Sequence, residues 1–376
     1  MKYAATILVF CVAALLSLGL VILFSSGMSR GGANYPVMQA VWCGMGMAAA
    51  AAVAYADYRH LKKLSWLLYL VALVLLVLVL IPGLGVKAGG ARRWLHFAGQ
   101  SFQPSELAKI ALVILLAHYG ERYQRFMRTP ALGLMIPGAL IAVVLALVFK
   151  EPDWGTTWLL ASVSGIMLLV AGARWRYLFP PIIAAAIAFV ILLANNEMRM
   201  KRITSWLNPE ETKMGVGYQA WQGMVALGSG GVTGLGLGDS RQKFGYLPEH
   251  ESDFIFAIVG EELGLVATLG VLAAFVVLVM CGIRIAWSAK DAFGLLLGTG
   301  LTFLIGLQAL INIGVVTGTL PNKGLPLPFI SRGGSNLFLM LVCVGLLLSI
   351  ARRAGEGASR VAQSVDIDEL ASPQTT

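Results

Sequence analysis

The chain has 376 residues, of which 58% are hydrophobic and only 12% are charged, and its mean hydropathy is +0.79. This composition excludes an ordinary soluble domain, because such a chain cannot hide its apolar surface in one core, and it predicts a polytopic membrane protein. The formal net charge of +9 is informative through the location of the basic residues, which sets membrane orientation. A nucleic-acid partner is not predicted.

Apolar runs long enough to span a bilayer, roughly 17 to 25 residues or slightly shorter, recur along the chain. They lie at about residues 4–24, 36–56, 65–84, 104–119, 131–149, 156–171, 178–194, 254–283, 293–316 and 337–351. They predict an all-α polytopic integral membrane protein with about ten transmembrane helices. The four cysteines fall inside apolar runs without metal-ligand spacing, and we interpret them as small core residues.

If the N-terminus is cytoplasmic, alternate short loops all carry basic residues. These residues are Arg59, Lys62, Lys63, Arg122, Arg125, Arg128, Arg174, Arg176, Arg284, Lys290, Arg352 and Arg353. The positive-inside rule therefore predicts that both termini are cytoplasmic. We expect one transmembrane domain at residues 1–354, followed by a polar, disordered cytoplasmic tail at residues 355–376.

Four polar segments are left for the outer face, at residues 86–103, 150–155, 195–252 and 319–336. The third joins the seventh and eighth spans and is far longer than a typical connection, which favours a function for it. The basic residues of these segments together predict a surface for an anionic, phosphoryl-bearing ligand, although solvated loop charge explains any single one equally well. The candidates for substrate binding are Arg92, Arg93, Arg241, Lys243 and Lys323.

Residues 241–264 contain five carboxylates where a polar loop becomes an apolar helix: Glu249, Glu251, Asp253, Glu261 and Glu262. Ionisable groups at a membrane edge are costly, so they are functional candidates. Asp253 stands at the helix start, whereas Glu261 and Glu262 lie about 12 Å further along and are predicted to brace neighbouring spans.

Small residues at positions 257, 260 and 264 share the helical face of Asp253. Such a face predicts either close helix packing or a groove that admits a polyprenyl tail beneath the carboxylate. The residues alone leave both readings open.

Two further acidic motifs lie elsewhere. Glu106 and Lys109 are three residues apart on a helix that Pro104 opens, so we expect them to pair, either as a structural ion pair or as the lining of a substrate cavity. Glu151 and Asp153 flank Pro152 and are typical of a solvated turn. No cofactor is predicted with certainty, and a divalent cation (Mg²⁺ or Mn²⁺) held by these two carboxylates is the alternative.

Residues 317–336 are too rich in proline and glycine to be helical throughout. At membrane depth such backbone is tolerated only where it is buried in protein or lines a cavity. Ser331, Gly333, Gly334 and Ser335 precede the last span and are candidates for holding an anion near a helix N-terminus.

Four segments resemble the signature segments of the shape, elongation, division and sporulation (SEDS) family, also called the FtsW/RodA family. They are FQPSELAKIAL (102–112), EPDWGTT (151–157), LPEHESDFIFAIVGEELGL (247–265) and NIGVVTGTLPNKGLPLPFISRGGSN (312–336). The LPNKG stretch is more similar to the FtsW branch than to the RodA branch. The chain departs from the family pattern at Arg332, Asn336 and Trp154, where tyrosine, serine and phenylalanine are usual.

The resemblance implies a peptidoglycan glycosyltransferase that polymerises lipid II on the outer face of the bacterial cytoplasmic (inner) membrane. It also implies a class B penicillin-binding protein as transpeptidase partner, together with other divisome or elongasome membrane proteins. It carries the family's essential aspartate onto Asp253, as catalytic residue, and its charged pair onto Glu106 and Lys109. A lipid II flippase and a non-enzymatic divisome scaffold are the alternatives, but the concentration of charge in the outer segments favours the enzyme.

Overall fold

The computed structural model describes residues 1–28, 34–88, 91–97, 100–194, 197–248 and 251–371. The protein is predominantly helical, and each predicted apolar run overlaps a helix. The helices are α1 (Lys2–Met28), α2 (Asn34–Tyr55), α3 (Leu61–Leu80), α4 (Pro104–Arg122), α5 (Ile136–Lys150), α6 (Trp154–Val170), α7 (Trp175–Ala194), α8 (Glu197–Leu207), α9 (Tyr218–Ser229), α10 (Ile255–Trp287), α11 (Ala292–Val316) and α12 (Gly334–Ala371). Within the described ranges, seven helical segments are long and apolar enough to cross a membrane. The chain is therefore a multi-pass membrane protein.

A small antiparallel sheet corrects the all-α prediction. Its strands are β1 (Gly85–Ala88), β2 (Ala91–Phe97) and β3 (Gln100–Phe102), in the order β1-β2-β3. Leu95 of β2 is in register with Gly85 on one side and with Phe102 on the other. In the sequence a glycine pair separates β1 from β2, and glycine pairs favour tight hairpins. A search for long apolar runs does not detect such short strands.

The segment at residues 195–252 is also more regular than an irregular loop, since it contains α8 and α9. Trp206 of α8 donates from Nε1 to the Gly318 carbonyl at the end of α11 (2.9 Å). Gln219 of α9 donates from Nε2 to the Pro248 carbonyl (3.0 Å). These bonds pack the segment onto the residues that follow α11 and precede α10.

Helix α10 is broken at Gly264, whose φ of +73° and ψ of −169° are not helical. The backbone groups freed by the break bond to the glycine-rich turn that follows α9, as buried backbone at membrane depth requires. The pairs, donor first, are Leu235–Glu261, Gly236–Glu262, Leu265–Gly231 and Val266–Val232, at 3.0–3.3 Å. The turn therefore completes the interrupted helix.

The small-residue face of α10 is filled by this packing. Ala257 is fully buried. A Cβ added at Gly260 would meet Leu227 of α9, and one at Gly264 would meet the backbone of residues 232–234. The prediction of close packing is confirmed, and the alternative of a groove for a polyprenyl tail on this face is wrong.

All four cysteines are free and buried, which confirms their interpretation as core residues. Helix α12 extends to Ala371, beyond the predicted domain end at residue 354. The division into a membrane domain and a disordered tail stays a prediction.

Candidate active site

Asp253 is half-buried in the turn that leads into α10. Asn312 of α11 donates from Nδ2 to two carbonyls, those of Asp253 (2.8 Å) and Leu325 (2.6 Å). Gly324 lies so close to the Asp253 carboxylate that a Cβ at this position would collide with it. The aspartate is therefore fixed to the segment after α11 by its backbone, and glycine makes room for its side chain.

Glu106 and Lys109 form an ion pair in α4 (2.7 Å), and their side chains are only 2% and 0% exposed. Lys109 Nζ also donates to Gln308 Oε1 (2.8 Å). Asn336 Nδ2 donates to Glu106 Oε2 (2.8 Å). Buried charges are tolerated when paired and further hydrogen-bonded in this way. The predicted pairing is confirmed, whereas a role in substrate binding stays a prediction.

Two amides that the sequence analysis missed connect these groups. Gln308 and Asn312 are four residues apart and share one face of α11. Gln308 donates from Nε2 to the Pro326 carbonyl (2.9 Å), one residue after the carbonyl that Asn312 holds. The sequence did contain a signal for this link. Two amide side chains lie within an apolar run, and because buried polar groups need partners, they predict polar contacts at that point of the helix. The Glu106–Lys109 pair and Asp253 thus contact the same face of α11.

The segment between α11 and α12 is held against the residues that precede Asp253. Ser331 is 4% exposed, and its Oγ donates to the Ser252 carbonyl (2.5 Å) and accepts from the Leu327 N–H (2.7 Å). Arg332 pairs with Glu251 at 2.7 Å. The Gly333 N–H donates to Gln39 Oε1 of α2 (3.3 Å).

The other two candidates for anion binding in this segment are closely packed. Gly334 lies against Trp42, so that a Cβ would overlap the indole ring. Ser335 is 2% exposed, and its Oγ has no hydrogen-bond partner among the described residues. The contacts of Ser331, Gly333 and Gly334 favour a role in shaping the segment beside Asp253, and binding of an anion by these residues stays a prediction.

The Glu151–Asp153 turn is buried, which corrects the expectation of a solvated turn. Arg93 of β2 donates to the carbonyls of Glu151 (3.0 Å) and Pro152 (2.6 Å). The Glu151 carboxyl is 0% exposed, and neither of its oxygens has a hydrogen-bond partner among the described residues. Burial, then the charge of Asp153, raises the pKa of Glu151 to about 9 against the opposing charge of Arg93.

A divalent cation held by Glu151 and Asp153 stays a prediction. Asp153 caps α6, accepting from the Thr156 N–H (3.2 Å) and hydroxyl (2.9 Å), so both of its oxygens already have partners within the turn. Within the described part of the chain, no group of three or more His, Cys, Asp or Glu side chains converges on one point.

Three of the basic residues predicted to bind substrate are at least partly exposed, so that a ligand could reach them. Lys323 lies with Nζ 4.8 Å from the centroid of the Trp154 ring. Arg92 is half-buried on β2, and Arg241 is exposed after the glycine-rich turn. Arg93 is largely committed to the two carbonyls already described.

Lys243 is placed differently from the prediction. It is 2% exposed, and its Nζ lies 3.1 Å from Glu262 Oε1, 3.1 Å from Ser25 Oγ and 2.6 Å from the Gly238 carbonyl. Its charge is neutralised within the protein. The prediction that Lys243 binds substrate is therefore wrong, and the residue instead ties the glycine-rich turn to α1 and α10.

Glu261 and Glu262 brace the structure as predicted. Glu261 accepts hydrogen bonds from the Ser240 hydroxyl (2.5 Å) and from the backbone N–H groups of Arg241 (3.0 Å) and Gln242 (3.3 Å). Glu262 accepts from Ser25 of α1 (2.6 Å) and pairs with Lys243. Glu249 lies outside the described residues.

The helical bundle and its buried polar groups define a polytopic membrane protein with a polar site beside one end of α11. The chain belongs to the cell cycle protein family of FtsW, RodA and SpoVE, whose family model matches residues 5–356. It is 40% identical over 315 residues to a protein of Geobacter metallireducens named "Probable peptidoglycan glycosyltransferase FtsW", covering 84% of each chain.

Two further similarities cover most of the chain. The stage V sporulation protein E of Bacillus subtilis is 41% identical over a 361-residue alignment that covers 92% of this chain and 96% of that protein. A chain from a structure described as "Structural coordination of polymerization and crosslinking by a peptidoglycan synthase complex" superposes with a TM-score of 0.79 and 28% identity, covering 92% of this chain and 97% of that one. The resemblance predicted from the sequence motifs is confirmed.

Proposed function

We propose that this protein is a peptidoglycan glycosyltransferase that polymerises lipid II, with Asp253 as its catalytic base. The names of its relatives support the reaction class. The observation that carries the assignment of the site is the contact of both Asp253 and the Glu106–Lys109 pair with one face of α11. Asp253 is only half-buried, which leaves its carboxylate partly accessible to an acceptor hydroxyl.

The chemistry requires one base and a set of cations. Asp253 removes the proton of the acceptor 4-hydroxyl as its oxygen attacks the anomeric carbon of the donor sugar. The bond from that carbon to the undecaprenyl pyrophosphate breaks, and the pyrophosphate departs with the electron pair, stabilised by nearby cations such as Lys323, Arg92 and Arg241. A single displacement inverts the anomeric centre, so it needs no second, nucleophilic carboxylate.

We place ten helices across the bacterial cytoplasmic (inner) membrane, α1 to α7 and α10 to α12, with both termini cytoplasmic. Seven of the ten meet the length and hydropathy that a span requires, and α6 is a shorter apolar helix. The basic residues of the alternate loops support the orientation. In this arrangement α8, α9 and Asp253 lie on the outer side, between the seventh and eighth spans.

A class B penicillin-binding protein is the partner that we propose, together with other divisome or elongasome membrane proteins. The similar chain from a complex described as coordinating polymerisation and crosslinking supports this partner. A role in division rather than elongation follows the names of the relatives. A divalent cation, Mg²⁺ or Mn²⁺, stays a proposal as a companion of the substrate pyrophosphate.

The test is polymerisation of lipid II by the purified full-length chain with its transpeptidase partner. Asp253→Asn should lower the rate by about 10²- to 10⁴-fold, the usual contribution of a general base. Asp239→Asn is the matched control, because Asp239 is an exposed carboxylate of the same outer segment, and it should polymerise like the wild type.

Equal rates for Asp253→Asn and the wild type would show that Asp253 is not the base. If the wild type makes no glycan strands but moves lipid II across vesicle membranes, the protein is a flippase and not a glycosyltransferase. If neither activity is found, the result favours the remaining hypothesis, a non-enzymatic divisome scaffold.

A further inference from the structure

A cavity of about 670 Å³ opens between α3, α4 and the start of α5, within the ~300–1,000 Å³ range of small-ligand sites. Its walls include Trp66, Leu115, Met135 and Leu140. It lies at the far end of α4 from Glu106, and the two ends of that helix are about 24 Å apart. The cavity therefore does not belong to the candidate active site.

The cavity is apolar along its length and basic at one end. Arg122 lines it and is exposed, and Arg125 and Arg128 follow in the loop that joins α4 to α5. Among the described residues, none of these three arginines has a carboxylate within ion-pair distance. By contrast, the neighbouring Lys62 pairs with Glu121 at 2.7 Å.

A further polar atom at this end is unused. His118 lines the cavity, and its Nδ1 is buried with no hydrogen-bond partner among the described residues. Two phenols of the same region are already bonded, since Tyr119 donates to the Leu132 carbonyl (2.8 Å) and Tyr69 to the Leu140 carbonyl (2.8 Å). Both bonds reach the first turns of the α5 region, where residues 131–135 form a π-helical turn.

We propose that this cavity binds one anionic phospholipid of the cytoplasmic leaflet. One acyl chain lies against Trp66 and Leu140, and the phosphate lies at Arg122 with Arg125 and Arg128 nearby. Basic pockets between transmembrane helices on the cytoplasmic side bind anionic head groups, because their positive side chains attract the lipid phosphate. The volume suits one acyl chain and is too small for a long polyprenyl chain.

The test is a lipid titration of the purified full-length protein in detergent, followed by native mass spectrometry. The probes are dioleoyl phosphatidylglycerol, dioleoyl phosphatidylcholine and undecaprenyl phosphate. We expect the wild type to prefer phosphatidylglycerol over phosphatidylcholine. Arg122→Gln should weaken phosphatidylglycerol binding about fivefold, which corresponds to ~1 kcal/mol for one basic residue. Arg176→Gln is the control, since Arg176 is an exposed arginine of another predicted cytoplasmic loop.

A second variant tests the apolar part. Ala139 lines the cavity and is itself exposed, so Ala139→Trp fills the space without displacing packed atoms, and it should abolish the preference for phosphatidylglycerol. Equal binding of both phospholipids, tighter binding of undecaprenyl phosphate, or normal binding by Ala139→Trp would each overturn the proposal. Because binding is measured without lipid II, its failure is distinguishable from failure of the polymerase function.

Discussion

The three positions where this chain departs from its family's pattern all make contacts around the candidate site. Arg332 pairs with Glu251, two residues before Asp253. Asn336 donates to Glu106, and Trp154 faces Lys323. Each of the three side chains therefore contacts a charged residue of another signature segment.

Because the Lys243–Glu262 ion pair is buried, replacing Lys243 should strongly lower the stability of the protein. Lys243→Met leaves Glu262 without its cation in a buried position, and breaking such a pair costs about 3–5 kcal/mol. The melting temperature of the purified protein should fall clearly, whereas Lys290→Met, at an exposed lysine, should leave it within error. The double variant Lys243→Met/Glu262→Leu should recover most of the loss. An unchanged melting temperature for Lys243→Met would mean that the pair adds no stability.

The raised pKa of Glu151 predicts that the stability of the protein depends on pH. Its pKa is raised from 4.5 to about 9 in the folded protein, so the folded state holds a proton that the unfolded state releases. The stabilising contribution is full below pH 4.5 and is lost as the pH rises towards 9, with a slope of up to about 1.4 kcal/mol per pH unit. Glu151→Gln should flatten the melting temperature measured between pH 5 and 9. A variant that keeps the wild-type slope would assign the dependence to another group.

The helix break in α10 and the turn after α9 depend on one another, since the turn bonds the groups that the break releases. Glycine is required at the break for two reasons: the positive φ and the contact with the backbone of residues 232–234. The position of Arg241, a predicted substrate cation, depends on the break as well, because its backbone N–H donates to Glu261, three residues before Gly264.

Gly264→Ala should therefore destabilise the protein by at least the ~1–3 kcal/mol that so sparsely populated a backbone conformation costs a residue other than glycine. Gly270→Ala is the matched control, because a Cβ at Gly270 meets no atom within 4 Å and the position is helical; there the change should be neutral or slightly stabilising. Thermal unfolding of the two variants decides the matter, and equal melting temperatures would show that α10 can straighten at no cost.

Local features of the chain were predictable, and contacts between distant segments were not. Apolar length predicts the helices, and a three-residue spacing predicts the Glu106–Lys109 pair. The bond of Lys243 to Glu262 depends on a helix break and on a turn folded back across it, neither of which has a periodic signature. The same holds for Asn312, whose amide shows only that some partner is needed. Basic residues alone therefore placed Lys243 wrongly on the ligand surface.

At the scale of the whole molecule, the proposed arrangement of ten spans assigns exposed residues to opposite faces of the membrane. Asp239 and Arg125 are both exposed, and the proposed orientation places them on opposite sides. The four native cysteines are buried, so they should give little background in thiol labelling.

Asp239→Cys should react with a membrane-impermeant maleimide in cells whose outer barrier has been opened and whose cytoplasmic membrane is intact. Arg125→Cys should react only after the cytoplasmic membrane is permeabilised. The reverse pattern would invert the proposed orientation, and labelling of both positions in intact cells would contradict the proposed span count.

The double hydrogen bond of Asn312 links movement of the segment after α11 to movement of Asp253. If that segment shifts to admit a bulky lipid-linked sugar, it either carries the aspartate with it or breaks one of the two bonds, at roughly 0.5–1.5 kcal/mol. Substrate entry and the position of the proposed base are then coupled through one amide. A partner that bound the segment after α11 would shift the proposed base without contacting its carboxylate.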